Sequence, residues 1–157
     1  MKKDIFIDNN ITSKYFSTPT DEEYKKLIEW LATYNEDEQN DAYLVVSPYL
    51  IREYNESNRN ARSETNILNL LIELTKQGRL VNFTKKQIED FQQKYYSKKV
   101  LKNLLSNAKD RNHLPAVLLS DRKMALSEDN NFLSDLKEFS DFETITAKRP
   151  EHLNYKD

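Results

Sequence analysis

The sequence predicts an α/β fold: a three-layer sandwich in which a central parallel sheet of about five strands lies between helices. Three observations carry this. Short apolar runs rich in β-branched and aromatic residues recur along the chain, beginning with Ile5-Phe6-Ile7. Between them stand stretches whose apolar residues repeat at helical spacing, and strands that alternate with helices argue for a parallel sheet. The length of 157 residues suits one domain with a real core, so 1–157 is expected to form a single unit.

The first strand ends abruptly in Asp8-Asn9-Asn10. Thr20-Asp21-Glu22-Glu23, behind Pro19, forms a capping box, and Tyr24, Leu27, Ile28 and Leu31 give the next helix its apolar stripe to about Tyr34. The acidic stretch 35–41 is a surface loop. The run AYLVV predicts a second buried strand over 42–46. Ser47-Pro48 is a good N-cap and first-turn pair for a helix carrying Tyr49, Leu50, Ile51, Glu53 and Tyr54. The spacing of Ile67, Leu70, Leu71 and Leu74 predicts a helix over 63–77, with Gly78 as its stop.

A third strand is expected over 80–83. Thr84 and Gln87 open another helix with a capping box, buried through Ile88, Phe91 and Tyr95. The pattern continues through Val100, Leu101, Leu104 and Leu105 as one bent helix or two. Pro115 is tolerated only in a first turn, so a helix over 112–119 starts near Arg111 or Asn112, with Asp110 at its mouth. A fourth strand over 123–127 runs into Glu128, Asp129, Asn130 and Asn131. Phe132, Leu133 and Leu136 begin a short helix, 142–146 reads as an edge-like fifth strand, and 150–153 as a terminal tuck.

Composition excludes several functions. A net charge of −2 and a pI near 5.8 do not suit a general polyanion binder, so any nucleic-acid affinity must come from a local patch or from metal ions. With no cysteine there is neither a disulfide nor a thiolate, which fits a reducing cytosol. No apolar segment approaches membrane-spanning length, and Met-Lys-Lys is followed at once by an acid. The expectation is a soluble, cytoplasmic protein without membrane contact. The single glycine, Gly78, excludes a phosphate loop or dinucleotide fingerprint. His113 and His152 lack helical HxxxH spacing, which argues against a histidine-built zinc site. Acids and amides remain as the chemical groups.

Four acids stand at corresponding places: Asp8 after strand one, Glu53 in the helix after strand two, Asp110 at a helix mouth, and Asp129 after strand four. In an open parallel sheet, ligands bind beyond the carboxyl ends of the strands. Each acid also has a plain structural reading. Asp8 serves equally as a turn or cap residue, and Glu53 as a rim glutamate paired with Arg52 or another arginine. Gathered together, the four would repel one another and raise their pKa values unless a divalent cation neutralised them. All-oxygen ligands suit Mg²⁺ or Mn²⁺, ions that activate water and stabilise charge on a phosphodiester.

On these residues the chain resembles the PIN-domain ribonucleases. The resemblance rests on IFIDNN (from Ile5), VVSPYLIREY (from Val45), KDRNHLPAVLLSDRKMALSED (from Lys109) and the NNFL that follows, and it covers nearly the whole chain in the family's order. It implies a five-stranded parallel sheet between helices and metal-dependent cleavage of RNA. Asp8, Glu53, Asp110 and Asp129 would be the metal-binding and catalytic acids, with Ser127 and Asn10 in support. Many bacterial relatives are toxins of toxin–antitoxin pairs, so the implied partners are RNA and an antitoxin or other partner protein. A homodimer is left open. Two departures mark this sequence. Asp110 precedes His113-Leu114 by three residues rather than two, with Arg111 in the expected place and Asp121 as a substitute acid. Asp8-Asn9-Asn10 also replaces the usual Asp-Thr/Ser-Asn.

Lys94, Lys98, Lys99, Lys102, Lys109 and Arg111, with Tyr95 and Tyr96 among them, read either as a cationic, stacking surface for a single strand or as a solvated face. Arg52, Arg59 and Arg62 would hold phosphates near Glu53 or pair with Glu56 and Glu64. Arg52, Lys98, Lys102 and Arg111 are the candidate substrate contacts. His113 reads as a helix-start hydrogen-bonding residue before a general base, Ser127 as an orienter of Asp129 before a nucleophile, and Trp30 as an off-stripe aromatic that marks a contact surface or an ordinary exposed ring. Two further functions compete with the nuclease: a catalytically inactive PIN-like module that binds RNA or a partner, and an aspartyl phosphotransferase acting through Asp8. The last is weakened by Asn10, where such enzymes carry a second aspartate.

Overall fold

The computed structural model describes residues 1–37, 39–58 and 62–157. Its centre is a five-stranded, all-parallel sheet with strand order β3-β2-β1-β4-β5. The strands are β1 (Lys3–Ile7), β2 (Ala42–Val46), β3 (Leu80–Asn82), β4 (Met124–Leu126) and β5 (Ile145–Ala147). The central strands are buried on both faces, as continuous apolar runs such as Ala42–Val46 require.

Eight helices among the described residues flank the sheet. They are α1 (Asn9–Tyr15), α2 (Glu22–Ala32), α3 (Pro48–Asn58), α4 (Ile67–Lys76), α5 (Lys85–Tyr95), α6 (Lys98–Asn103), α7 (Leu114–Leu119) and α8 (Asn130–Leu136). Contacts tie α1, α2, α3 and α4 into one group and α5, α7 and α8 into another. Right-handed crossovers put these groups on opposite faces, because the chain steps from β1 through β2 to β3, then returns to β4 and β5 on the far side of β1. The direction of winding reverses between β1 and β4. There the connections leave toward opposite faces and open a crevice at the carboxyl ends of the strands.

Several elements differ from the sequence reading. Helix α1 follows β1 directly where the sequence signalled none. Its Asn-Asn-Ile-Thr-Ser composition has low helix propensity, and Asp8 as N-cap together with packing against α3 supplies what propensity does not. The 98–103 segment is a separate helix: Ser97 breaks the chain after α5 and accepts a bond from the Val100 amide. That helix buries no residue, and Leu101 and Leu105 are exposed rather than part of a stripe. The fifth strand runs later than 142–146, because Phe142 turns into a cluster with Phe91 and Tyr95. Before α7, Asp110–Asn112 form a single 3₁₀ turn that leads into His113 as N-cap. Gly78 sits at φ +67°, where α4 ends and a side chain would be strained. Trp30 is half-buried against Tyr155, with the Arg122 guanidinium over its ring. No helix among the described residues is long and apolar enough to cross a membrane.

Candidate metal centre

β1 and β4 end side by side at the crevice, and their last residues hand two acids to the same rim. The Ser127 hydroxyl donates to Asp8 Oδ2 at 2.7 Å and accepts from the Asp129 amide at 3.1 Å. Asn10 Nδ2 lies 3.3 Å from the same hydroxyl and 3.4 Å from Asp8 Oδ2, while Asn10 Oδ1 accepts from the Glu128 amide at 3.3 Å. Asp8 and Asp129 each cap the helix that follows. Asp8 Oδ1 takes the Asn9 amide, and Asp129 Oδ1 takes the amides of Asn131 and Phe132. Asp8 therefore caps α1 with one oxygen and accepts from Ser127 with the other.

Glu53 and Asp110 arrive from opposite layers. Glu53 projects from α3, one turn beyond Tyr49, and Asp110 opens the 3₁₀ turn before α7. Ligand atoms of Glu53, Asp110 and His113 all lie within 4.8 Å of one another. Glu53 does not pair with Arg52, whose guanidinium is taken by Glu56 at 3.1 Å. Electrostatics joins the two halves. Burial pushes the Asp8 carboxyl above its ordinary 3.8; the Ser127 bond and the nearby His113 oppose the rise and the Glu53 charge adds to it. Asp110 is raised in the same way, by burial first and then by the charges of Asp129 and Glu53. Burial also raises the Tyr54 phenol, beneath Asp8 and Glu53, and its hydroxyl donates to the Ile7 carbonyl.

No protein-family model matches the chain, and no curated protein matches it. The site rests on its own geometry.

His113 is the residue whose part the sequence did not show. Its ring is buried, Nε2 sits 2.5 Å from Glu53 Oε2, and Nδ1 has no hydrogen-bond partner. The Glu53 carboxylate can only accept, so the nitrogen that faces it must carry a proton. We assign the ring proton to Nε2 on this ground, so that His113 donates to Glu53. A metal-bound histidine almost always donates its second N–H to an acceptor, and His113 with Nε2–H on Glu53 and Nδ1 unpartnered meets that description. His113 orients Glu53 through Nε2, and the group of Glu53, Asp110 and His113 offers two carboxylates and one imidazole. Its position at the mouth of α7, three residues after Asp110, was the available signal.

The other candidate residues separate cleanly. Asp121 lies at the opposite rim, where its carboxylate accepts from the Lys2 amide and its own amide donates to Asp4, so Asp110 is the third acid that joins the cluster. Arg111 is half-buried and gives its guanidinium to the carbonyls of Ser106 and Leu104, which makes it a brace for that loop rather than an open phosphate contact. The stacking surface expected of Tyr95 and Tyr96 is likewise taken up internally. Tyr95 packs on Phe91 and Phe142, and the Tyr96 hydroxyl donates to the Arg111 carbonyl. Lys98, Lys99 and Lys102 are exposed on α6, Arg52 is exposed on α3, and Arg62 is exposed before α4. Arg59 lies outside the described residues. Glu128, the middle residue of Ser127-Glu128-Asp129, turns away to the Tyr15 hydroxyl and Lys14.

Proposed function

We propose that the chain is a metal-dependent endoribonuclease whose Asp8, Glu53, Asp110 and Asp129 hold Mg²⁺ or Mn²⁺. One observation carries the reading: two pairs of acids, Asp8 with Asp129 through Ser127 and Glu53 with Asp110 beside His113, lie close enough that the charges of one pair act on the other, with no lysine or arginine bonded to any of the four carboxylates among the described residues. Carboxylates grouped without cations destabilise a fold, and a hard divalent ion with oxygen ligands relieves that repulsion. Oxygen donors with a single buried imidazole turned toward Glu53 fit such an ion. When bound, the ion would supply an activated water and stabilise charge on the phosphodiester.

The chain's own residues supply orientation. Ser127 fixes Asp8 Oδ2, and Asn10 holds both that pair and the turn at Glu128. His113 fixes Glu53 Oε2, which leaves Oε1 as the free donor of that carboxylate among the described residues.

RNA cleavage that EDTA abolishes and Mg²⁺ or Mn²⁺ restores is the expected result. Asp8→Asn and Asp129→Asn should each lower it by more than about a hundredfold, the range at which even indirect supports of a metal are felt. Wild-type rates in either variant would sink the assignment. A thermal melt separates the nuclease from an inert PIN-like binding module. Mn²⁺ at about a hundred times its Kd should stabilise the wild type by about 2.7 kcal/mol, and Asp8→Asn should lose that gain.

A further inference from the structure

Beside the metal centre runs a groove of about 500 Å³ whose walls come from α3 and from the segment before α7. Tyr49, Arg52 and Glu53 line one side, and Lys109 and Asn112 the other. Glu53 belongs to both places, so the groove opens directly from the acidic cluster. Tyr49 is half-exposed and, unlike Tyr95 and Tyr96, has no ring or hydroxyl partner among the described residues. Lys109 is exposed and without an ion pair among the same residues, while Arg52 uses only its Nε on Glu56.

We propose that this groove is a nucleotide subsite for single-stranded RNA: one base lies on the Tyr49 ring, and the flanking phosphates meet Lys109 and Arg52. The inference rests on the nuclease reading, since it is Glu53 that joins the subsite to the cleavage site. Three features fit that occupant. The volume lies in the range of small-ligand sites. An aromatic face flanked by cations is the arrangement that captures an unstacked base with its backbone. In a duplex the bases are stacked and unavailable to Tyr49, so the groove selects single strands, loops and ends. The chain's net negative charge is no obstacle, because the cations that matter are local.

The test is fluorescence anisotropy of a short labelled RNA in EDTA, which removes the metal and prevents cleavage. The wild type should bind a single strand, and Tyr49→Leu, which keeps apolar bulk against the core, should bind it about tenfold more weakly. Tyr49→Trp should restore the affinity. Lys109→Gln should flatten the dependence of log K on log salt by about 0.7. A blunt RNA duplex should show no difference between wild type and Tyr49→Leu. Equal single-strand affinity of wild type and a folded Tyr49→Leu, or no binding by the wild type, overturns the subsite while leaving the metal centre untouched. Conversely, metal-independent cleavage would overturn the metal centre and leave this affinity, measured without metal, as it is.

Discussion

Strand β1 carries an aspartate near each end, and the two have opposite surroundings. Asp4 and Asp8 are four residues apart, about 13 Å along a strand. Asp4 is buried and wholly matched. Its two oxygens accept the amides of Asp121 and Arg122, and the Arg122 guanidinium lies 4.0 Å from Oδ1 while donating to the Asp4 and Tyr155 carbonyls. Asp8 has neutral donors only, with Glu53 close enough to raise its pKa further. Burial does not distinguish a structural acid from a chemical one; the neighbours do. Asp135 and Asp41 share with Asp4 a pair of backbone amide donors, one to each carboxylate oxygen. The buried carboxylate of Asp135 takes the Leu105 and Ser106 amides, and Asp41 takes those of Asn35 and Asp37. At the other rim, acids face acids.

The strongest way to break this contrast is to exchange the roles. Asp4→Ala should cost about 3–5 kcal/mol in a denaturant melt, because it leaves the Arg122 charge and two amides buried without their partner. Asp8→Asn, melted in EDTA, should show no comparable loss. Equal destabilisation of the two would mean that Asp8 too is a structural acid. Next in size is His113. If it acts only by orienting Glu53, His113→Gln should reduce metal affinity by about ten- to a hundredfold, as loss of a supporting group does. Co²⁺ absorption should meanwhile show no nitrogen ligand in the wild type. A spectrum with a nitrogen donor that His113→Gln removes would put the ring on the metal.

The smallest effect is in the pH dependence. Asp8 has a folded pKa above its unfolded value, so the folded state binds its proton more readily. The stability it costs is absent below about 3.8 and is felt in full once pH rises past the folded value. In EDTA, the melting temperature of wild type relative to Asp8→Asn should therefore fall as pH climbs from about 4 to neutrality. Saturating Mn²⁺ should cancel that fall. A difference that stays flat with pH would show that Asp8 is not strained by its surroundings.

Much of the fold was legible because its signals are local. Continuous apolar runs marked β1, β2 and β4, the Thr84–Gln87 capping box opened α5, and Gly78 ended α4. Helix α1 was not legible, since its two turns depend on contacts with α3, and the sequence could not tell whether α5 and α6 were continuous. At the site, Asp8 and Asp129 were readable as acids that end strands. Asp121, in a helix–strand connection, reads as belonging to the opposite edge, but the one-residue displacement of Asp110 left the third acid open until the packed chain set Asp110 beside Glu53.

The amino-acid order by itself determined which groups were present and which chemistries were absent: acids and amides, one glycine, no cysteine, and an alternation that argues for a parallel sheet wound with helices. Tertiary structure alone decided the pairings. It set His113 against Glu53, turned Arg111 inward to brace a loop, and left Tyr49 facing an open groove. The physical reason is that periodicity records which face of an element is buried, whereas partners far apart in sequence meet only through the order and handedness in which the elements pack.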